Sequence, residues 1–343
     1  MEQVTIREIA RMCGVGVSTV SRALNGHPDV NAQTREKIMQ AVREYHYVPN
    51  NSARNLKMAS SRTIAVLAKG IANPFFGPMI RILESETARA GYSFALQHVD
   101  EGEDEMEAAI RLEKEKRLKG IIFLGGLSRH SKQQLQLLSV PFVVSTVPVQ
   151  LPGELEACAC VSIDDELESY RMTEYLIGLG HRDIAILAAS AEDESIGESR
   201  LGGYRRALSD HGIPCREELI VRMRPDHITY SMPQGYEVTK TLIESGRKFT
   251  CLYAISDTLA IGACRALFDA GLRVPEDVSV AGFDGLEAAS YYNPVITTIR
   301  QPGEEIAAET IRLLLAMIDG KTVGKQHLFR AELCEGGSTA APA

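Results

Sequence analysis

The chain has 343 residues, 45% of them hydrophobic and 24% charged, which suits a globular protein of two or three domains with large cores. No run of about 18 apolar residues occurs, and Met1 to Thr5 lack the basic-then-apolar pattern of a secretory leader, so no transmembrane helix and a cytoplasmic protein are expected. The net charge of −8 conceals an asymmetry: residues 1–60 hold eight Lys/Arg against five Asp/Glu, a balance of +3, and the rest holds 29 against 40, a balance of −11. A basic head on an acidic body points to a polyanion that meets the head alone.

In chain order, Thr5-Ile6-Arg7-Glu8 is a capping box, with Ile6, Ile9 and Ala10 on one face of the short helix it starts. Gly14 suits a left-handed residue just past that helix, and Val15 an apolar contact in the turn. Gly16 then opens a second helix, Val17 to Leu24, with Val20, Ala23 and Leu24 inward and Val17, Ser18, Ser21 and Arg22 outward. A third helix fits Asn31 or Thr34 to Tyr45, with Ile38, Val42 and Tyr45 inward. The stretch GVGVSTVSRALNG could also be a glycine loop for phosphate, but such a loop follows an apolar strand, and residues 5–12 read as a capped helix. Two helices about a glycine turn with a supporting third make a helix-turn-helix; a three-helix bundle without nucleic acid is the plain alternative.

Pro49 stops the preceding helix, and Asn50 to Leu56 are too short and polar to stand alone as one. From Arg62 the pattern changes to short apolar runs between amphipathic helices: 63–68, 92–97, 120–125, 141–145, 183–189, 250–255 and 278–283. That alternation predicts two doubly wound parallel-sheet lobes, with LIGLGHRD (176–183) as the helix-to-strand turn that opens the second. Ligands of such sheets bind beyond the carboxyl ends of strands, where Asn73-Pro74-Phe75-Phe76, Arg200, Ser256-Asp257 and Asp284 follow apolar runs. Aromatic faces with Asn, Arg and Asp suit a small polar molecule with apolar faces, sugars above all. Each residue also has a plainer use: Phe75 and Phe76 as core, Arg200 as a lobe-to-lobe salt bridge, Asp257 and Asp284 as helix caps. The acidic run Glu101, Glu103, Asp104, Glu105 and Glu107 reads as a solvated helix start, and His181 as a turn residue.

Little points to catalysis. There is no GxSxG, phosphate loop or redox CxxC, and Asp164, Asp165 and Asp284 have no partner forced by spacing. The seven cysteines are scattered, as reduced thiols are, and the Cys158-Ala159-Cys160 pair lacks a second pair at zinc-site spacing. No enzyme, metal site or cofactor is therefore expected.

The run TIREIARMCGVGVSTVSRALNG resembles the DNA-binding headpiece of the lactose-repressor/galactose-repressor family, and YVPNNSARNL (47–56) resembles that family's hinge. The likeness continues to about residue 335. It implies residues 1–48 as a helix-turn-helix headpiece, 49–61 as hinge helix and linker, and 62–335 as a two-lobed effector-binding and dimerisation domain resembling periplasmic sugar-binding proteins. The first lobe would span about 62–162 plus part of the C-terminal segment, and the second about 163–292.

On the same resemblance the second helix reads the major groove, and the matching DNA-binding positions are Thr5, Val17, Ser18, Thr19, Ser21, Arg22 and Asn25, with Asn50, Ala53 and Leu56 in the hinge. Leu56 would wedge into a minor-groove step when two hinges fold on DNA; the alternative is a plain linker with Leu56 on the core. The effector positions carried over are Asn73, Phe75, Phe76, Arg200, Tyr230, Ser256, Asp284 and Gln301. Three departures stand out. Gly16 replaces a usual Ser, Ser256 replaces a frequent Asn, and the strand 141–145 runs into Thr146-Val147-Pro148 instead of an Asp-Arg pair that grips sugar hydroxyls. The implied protein is a homodimeric repressor of carbohydrate-utilisation genes that binds pseudo-palindromic double-stranded operator DNA and a small-molecule effector. A purine or other non-sugar metabolite is the alternative effector, and a cytoplasmic small-molecule binding protein the alternative class.

Overall fold

A computed structural model of the chain describes residues 5–24, 29–45, 62–70, 72–100, 103–126, 132–149, 151, 156–190, 196–224 and 230–342. The chain divides into two compact units, residues 1–61 and 62–343.

The first unit holds α1 (Ile6–Cys13), α2 (Val17–Leu24) and α3 (Ala32–Glu44). The capping box forms in both directions: Glu8 N donates to Thr5 Oγ1 at 3.4 Å, and Thr5 N donates to the Glu8 carboxylate at 2.7 Å. Gly14 closes α1 at φ 65°, a left-handed conformation that a side chain would strain. Asn31 starts α3 by accepting from Thr34 N at 2.8 Å. Ile9, Ala10, Cys13, Val20, Ala23, Val30 and Ile38 form the core. Tyr45, expected inward, is 43% exposed. Tyr45 follows the last residue of α3, whose final turn packs Ala41 and Val42 against the core.

The second unit carries two six-stranded sheets. Strands β1 (Thr63–Lys69), β2 (Ser93–Val99), β3 (Gly120–Leu124), β4 (Phe142–Ser145) and β5 (Cys158–Ile163) lie in the first. Strands β6 (Ile184–Ala188), β7 (Ile220–Arg222), β8 (Cys251–Ala254), β9 (Ser279–Asp284) and β10 (Thr297–Arg300) lie in the second. The late strands divide: β11 (Gln326–Phe329) completes the first sheet beside β5, and β12 (Glu332–Cys334) the second, antiparallel to β10. The orders are β11-β5-β4-β3-β1-β2 and β12-β10-β9-β8-β6-β7. Helices α4 (Phe76–Arg89), α5 (Glu105–Lys116), α6 (Lys132–Leu135), α7 (Asp165–Gly178), α8 (Ile196–Asp210), α9 (Met232–Glu244), α10 (Asp257–Asp269), α11 (Glu287–Ser290) and α12 (Gly303–Ile318) connect them. Every residue of β3, β4, β5, β6, β8 and β9 is buried, because parallel strands have both faces covered.

The chain crosses between lobes three times, from β5 to α7, from β10 to α12 and from β11 to β12. The second lobe therefore reaches past the expected limit of 292 to Arg300, and regains the chain after β11. The tail past 335 belongs to it as well: Ser338 is fully buried, donates to Val280 O at 2.6 Å and accepts from Thr297 N at 2.8 Å. His181 joins this tail to the lobe, meeting Thr250 Oγ1 and Ala340 O at 2.9 Å each.

Close helix packing sets the second lobe's shape. A Cβ on Gly203 of α8 would fall on the Glu166 carbonyl and 2.7 Å from Tyr170 N of α7. Only glycine lets these helices approach so closely.

Candidate functional site

In both sheets the strand that starts the lobe has neighbours on either side that the chain reaches by opposite crossings: β1 between β2 and β3, β6 between β7 and β8. Such switch points leave a crevice at the carboxyl ends of the strands. Lys69, Ala188, Ala254 and Asp284 end β1, β6, β8 and β9 there.

Arg200 is the centre of this region. The second turn of α8 carries it, and it is only 2% exposed. Its Nε donates to Asp165 Oδ1 at 2.9 Å. Its Nη1 donates to Ile255 O at 2.6 Å and to Asp284 Oδ1 at 3.4 Å. The guanidinium lies 3.7 Å from the centre of the Phe283 ring. Beneath it, Tyr253 donates to Ser169 Oγ at 3.0 Å, and Ser169 donates to Arg200 O at 2.6 Å. Burial opposes the arginine's charge, but Asp165 and Asp284 outweigh it and hold the guanidinium charged.

Asp284 has φ 109°, and its Oδ1 also accepts from Gln301 Nε2 at 2.8 Å. Burial pushes its carboxyl up to about 6 against the pull of Arg200 and Gln301. Burial likewise raises Asp165, against Arg200. One arginine thus faces two buried carboxylates, and Asp165 Oδ2 and Asp284 Oδ2 are both buried without a hydrogen-bond partner. Buried acceptors are costly when unmet, so these two oxygens hold hydrogen-bonding capacity that the protein's own donors do not use.

Ser256 caps α10, accepting from Leu259 N at 3.3 Å, and shares a 2.9 Å hydrogen bond with Thr258. Thr258 donates to the carbonyl of Tyr230, which has φ 55°. Asn73 accepts from Phe75 N at 3.0 Å in the loop after β1. Phe75 and Phe76 are buried with ring centres 5.8 Å apart. Phe75 nevertheless borders the crossover, because a Cβ on Gly303 would lie 3.1 Å from its ring. The fold therefore places Arg200, Asp284, Ser256 and Tyr230 on the second lobe, Asn73, Phe75 and Phe76 on the first, and Gln301 in the crossover between them.

Several plainer assignments change. Arg200 makes no lobe-to-lobe bridge: its partners lie at the start of α7, after β8 and at the end of β9. Asp284 caps no helix. Asp257 is not the cap of α10; its carboxylate accepts from Leu286 N and Thr298 Oγ1 at 2.7 Å each, and burial together with Asp284 pushes it up to about 7. Glu105 is no solvated residue of a helix start: it is buried and pairs with Lys69 at 2.8 Å. Asp104 caps that helix, accepting from Met106 N at 2.8 Å and Glu107 N at 3.1 Å. Sequence reasoning missed Asp165 because its partner stands 35 residues away; an acidic pair right after a buried strand was the one signal.

In the head, Val17, Ser18, Ser21 and Arg22 are exposed along α2, and Thr19 is half-buried. Thr5 is exposed and engaged in the capping box. Arg22 Nη1 lies 2.9 Å from Asp29 Oδ2. Asn25, Asn50, Ala53 and Leu56 lie outside the described residues. Among the described residues no group of three or more His, Cys, Asp or Glu could hold a metal ion, and no helix is long and apolar enough to cross a membrane.

Residues 5–50 match the family model described as bacterial regulatory proteins, lacI family, and residues 173–339 match the periplasmic binding protein-like domain. The HTH-type transcriptional regulator MalR of Clostridium butyricum is 37% identical over 96% of this chain and 97% of its own length. The HTH-type transcriptional repressor PurR of Vibrio parahaemolyticus is 34% identical over 92% of both chains. Among solved structures, the lac repressor dimer bound to operator and the anti-inducer ONPF superposes with a TM-score of 0.74 at 28% identity, covering 99% of this chain and 100% of that one.

Proposed function

Because the chain belongs to the lacI family of bacterial regulatory proteins, it is a ligand-responsive, sequence-specific DNA-binding transcriptional regulator, and we propose that it represses carbohydrate-utilisation genes as a cytoplasmic homodimer. One reading helix covers half of a pseudo-palindromic operator, so two subunits are needed. Val17, Ser18 and Arg22 read base edges, and Thr5, Thr19, Ser21 and Asn25 support them. Asn50, Ala53 and Leu56 act when paired hinges fold on the duplex and Leu56 wedges the minor groove.

The effector binds at the crevice of the second unit, against Asn73, Phe75, Phe76, Arg200, Tyr230, Ser256, Asp284 and Gln301. The observation that carries this reading is the pair of partnerless carboxylate oxygens on Asp165 and Asp284 flanking one buried arginine. Two acceptors about one donor fork match the vicinal hydroxyls of a neutral sugar, each of which donates and accepts. The aromatic pair after β1 supplies the apolar side. The effector changes operator affinity because it binds one arrangement of the lobes better than another, and that difference alone shifts the equilibrium. No step requires catalysis, a metal or a cofactor.

A purine-like effector is the second reading, favoured by Thr146-Val147-Pro148 after β4, where no Asp-Arg pair is present to grip hydroxyls. A thermal-shift screen of the full chain against neutral sugars, sugar phosphates, nucleosides and purines separates the two. A ligand at a hundred times its Kd stabilises by about 2.7 kcal/mol. Stabilisation by a neutral sugar, lost in Asp284→Asn, is the expected result. Stabilisation by a purine alone transfers the site to the second reading.

A further inference from the structure

The ion pair on the DNA-facing surface of the head has a feature that charge attraction does not require. Asp29 is an exposed carboxylate 2.9 Å from Arg22 in a head of net charge +3. Close to phosphate, a carboxylate opposes binding by its charge alone. Its backbone is anchored on the C-terminal side. The next residue, Val30, is buried in the head core, and Asn31 is tied into the start of α3 by the Thr34 N–H. The carboxylate therefore sits on backbone held from that side, on a shorter side chain than the arginine it pairs with.

We infer that Asp29 is a positioning residue for base reading: it holds the Arg22 guanidinium in one orientation on α2 and so sharpens its preference for guanine. This rests on the reading of Arg22 as a base-contacting residue. Arginine presents five N–H donors in a planar fork. The bond to Asp29 engages Nη1. The Nε and Nη2 edge remains for the two acceptors, O6 and N7, that guanine shows in the major groove. Fixing the plane of that fork favours bidentate pairing over loose contact with phosphate or with other bases.

The test uses the full-length protein and a duplex it selects from randomised DNA, with each base pair exchanged in turn, for wild type, Arg22→Ala, Asp29→Asn and the double variant. Arg22→Ala should flatten the preference at one base pair in each half-site. Asp29→Asn should weaken preference at that same pair by about two- to fivefold, the scale of an exposed ion pair, and leave the other pairs unchanged. In the Arg22→Ala background Asp29→Asn should change nothing at that pair. A folding defect would lower affinity for every duplex alike, so the position-specific readout separates the two. If Arg22→Ala flattens a pair while Asp29→Asn spares it, or acts equally in both backgrounds, the positioning role is overturned and base reading by Arg22 stands. If Arg22→Ala flattens no pair, both fall.

Discussion

Two arginines, one in each unit, pair with aspartates in opposite surroundings. Arg22 and Asp29 have side chains 59% and 45% exposed, so water screens the pair and its attraction is worth little. Arg200, Asp165 and Asp284 are at most 3% exposed, so every unmet charge there weighs on the fold itself. On the proposed function, the difference follows from what each surface would meet. A duplex brings its own negative charge and needs only an oriented cation. A small uncharged ligand brings hydroxyls and needs a dry, preformed set of donors and acceptors.

The sharpest way to break this contrast is to remove each arginine. Arg200→Ala leaves two buried carboxylates uncompensated and should cost the second unit about 3–5 kcal/mol in denaturant unfolding. Arg22→Ala, at the exposed site, should leave stability unchanged within about 0.5 kcal/mol and act only on DNA binding. Equal destabilisation by both would abolish the distinction.

The buried carboxylates should also give the second unit a pH dependence opposite to that of salt-bridged surface acids. Asp257 and Asp284 are pushed up to about 7 and about 6, chiefly by burial. Below about pH 3 both folded and unfolded forms hold these protons, because an unfolded aspartate titrates at about 3.9. As pH rises the unfolded chain releases them first, so stability falls, by about 1.4 kcal/mol per pH unit for each proton, until pH 6 to 7. Asp257→Asn should lower stability overall, since both its oxygens accept hydrogen bonds, yet flatten this slope. Urea unfolding at a series of pH values checks it; an unchanged slope would count against the assignment.

Two smaller effects sharpen the comparison from the packing side. Gly203→Ala forces α7 and α8 apart and should cost about 1–3 kcal/mol in thermal unfolding of the second unit. Thr5→Ala removes the cap of α1 and should cost the head about 1 kcal/mol, read by amide exchange in α1 alone.

The head was more legible in sequence than the body. The capping box, Gly14 and the apolar stripe are local signals with partners within a few residues, and α1 and α2 form as that pattern predicts. Tyr45 failed because the stripe alone does not say where the covering surface ends. In the body, strands between helices were readable as continuous apolar runs, but Cys158–Ile163 read as a pair of thiols, and the short β7, β10, β11 and β12 had too few apolar residues to stand out. The strand ends of the candidate site, with Asn, Phe, Arg and Asp after them, were legible. Its charge balance was not, since Asp165, Asp284 and Arg200 come together over separations of 35 and 84 residues. The burial of Glu105 was hidden likewise, because Lys69 reaches it from 36 residues away.

The most direct test of the account is operator affinity of the full-length protein, measured with and without a neutral sugar that stabilises it, in wild type and in Asp284→Asn. The account predicts that the sugar changes wild-type affinity by about five- to 150-fold, the usual range of allosteric coupling, and leaves Asp284→Asn unmoved while its affinity without ligand is retained. A sugar that stabilises the protein yet leaves operator affinity untouched, or one that acts equally on Asp284→Asn, would contradict it.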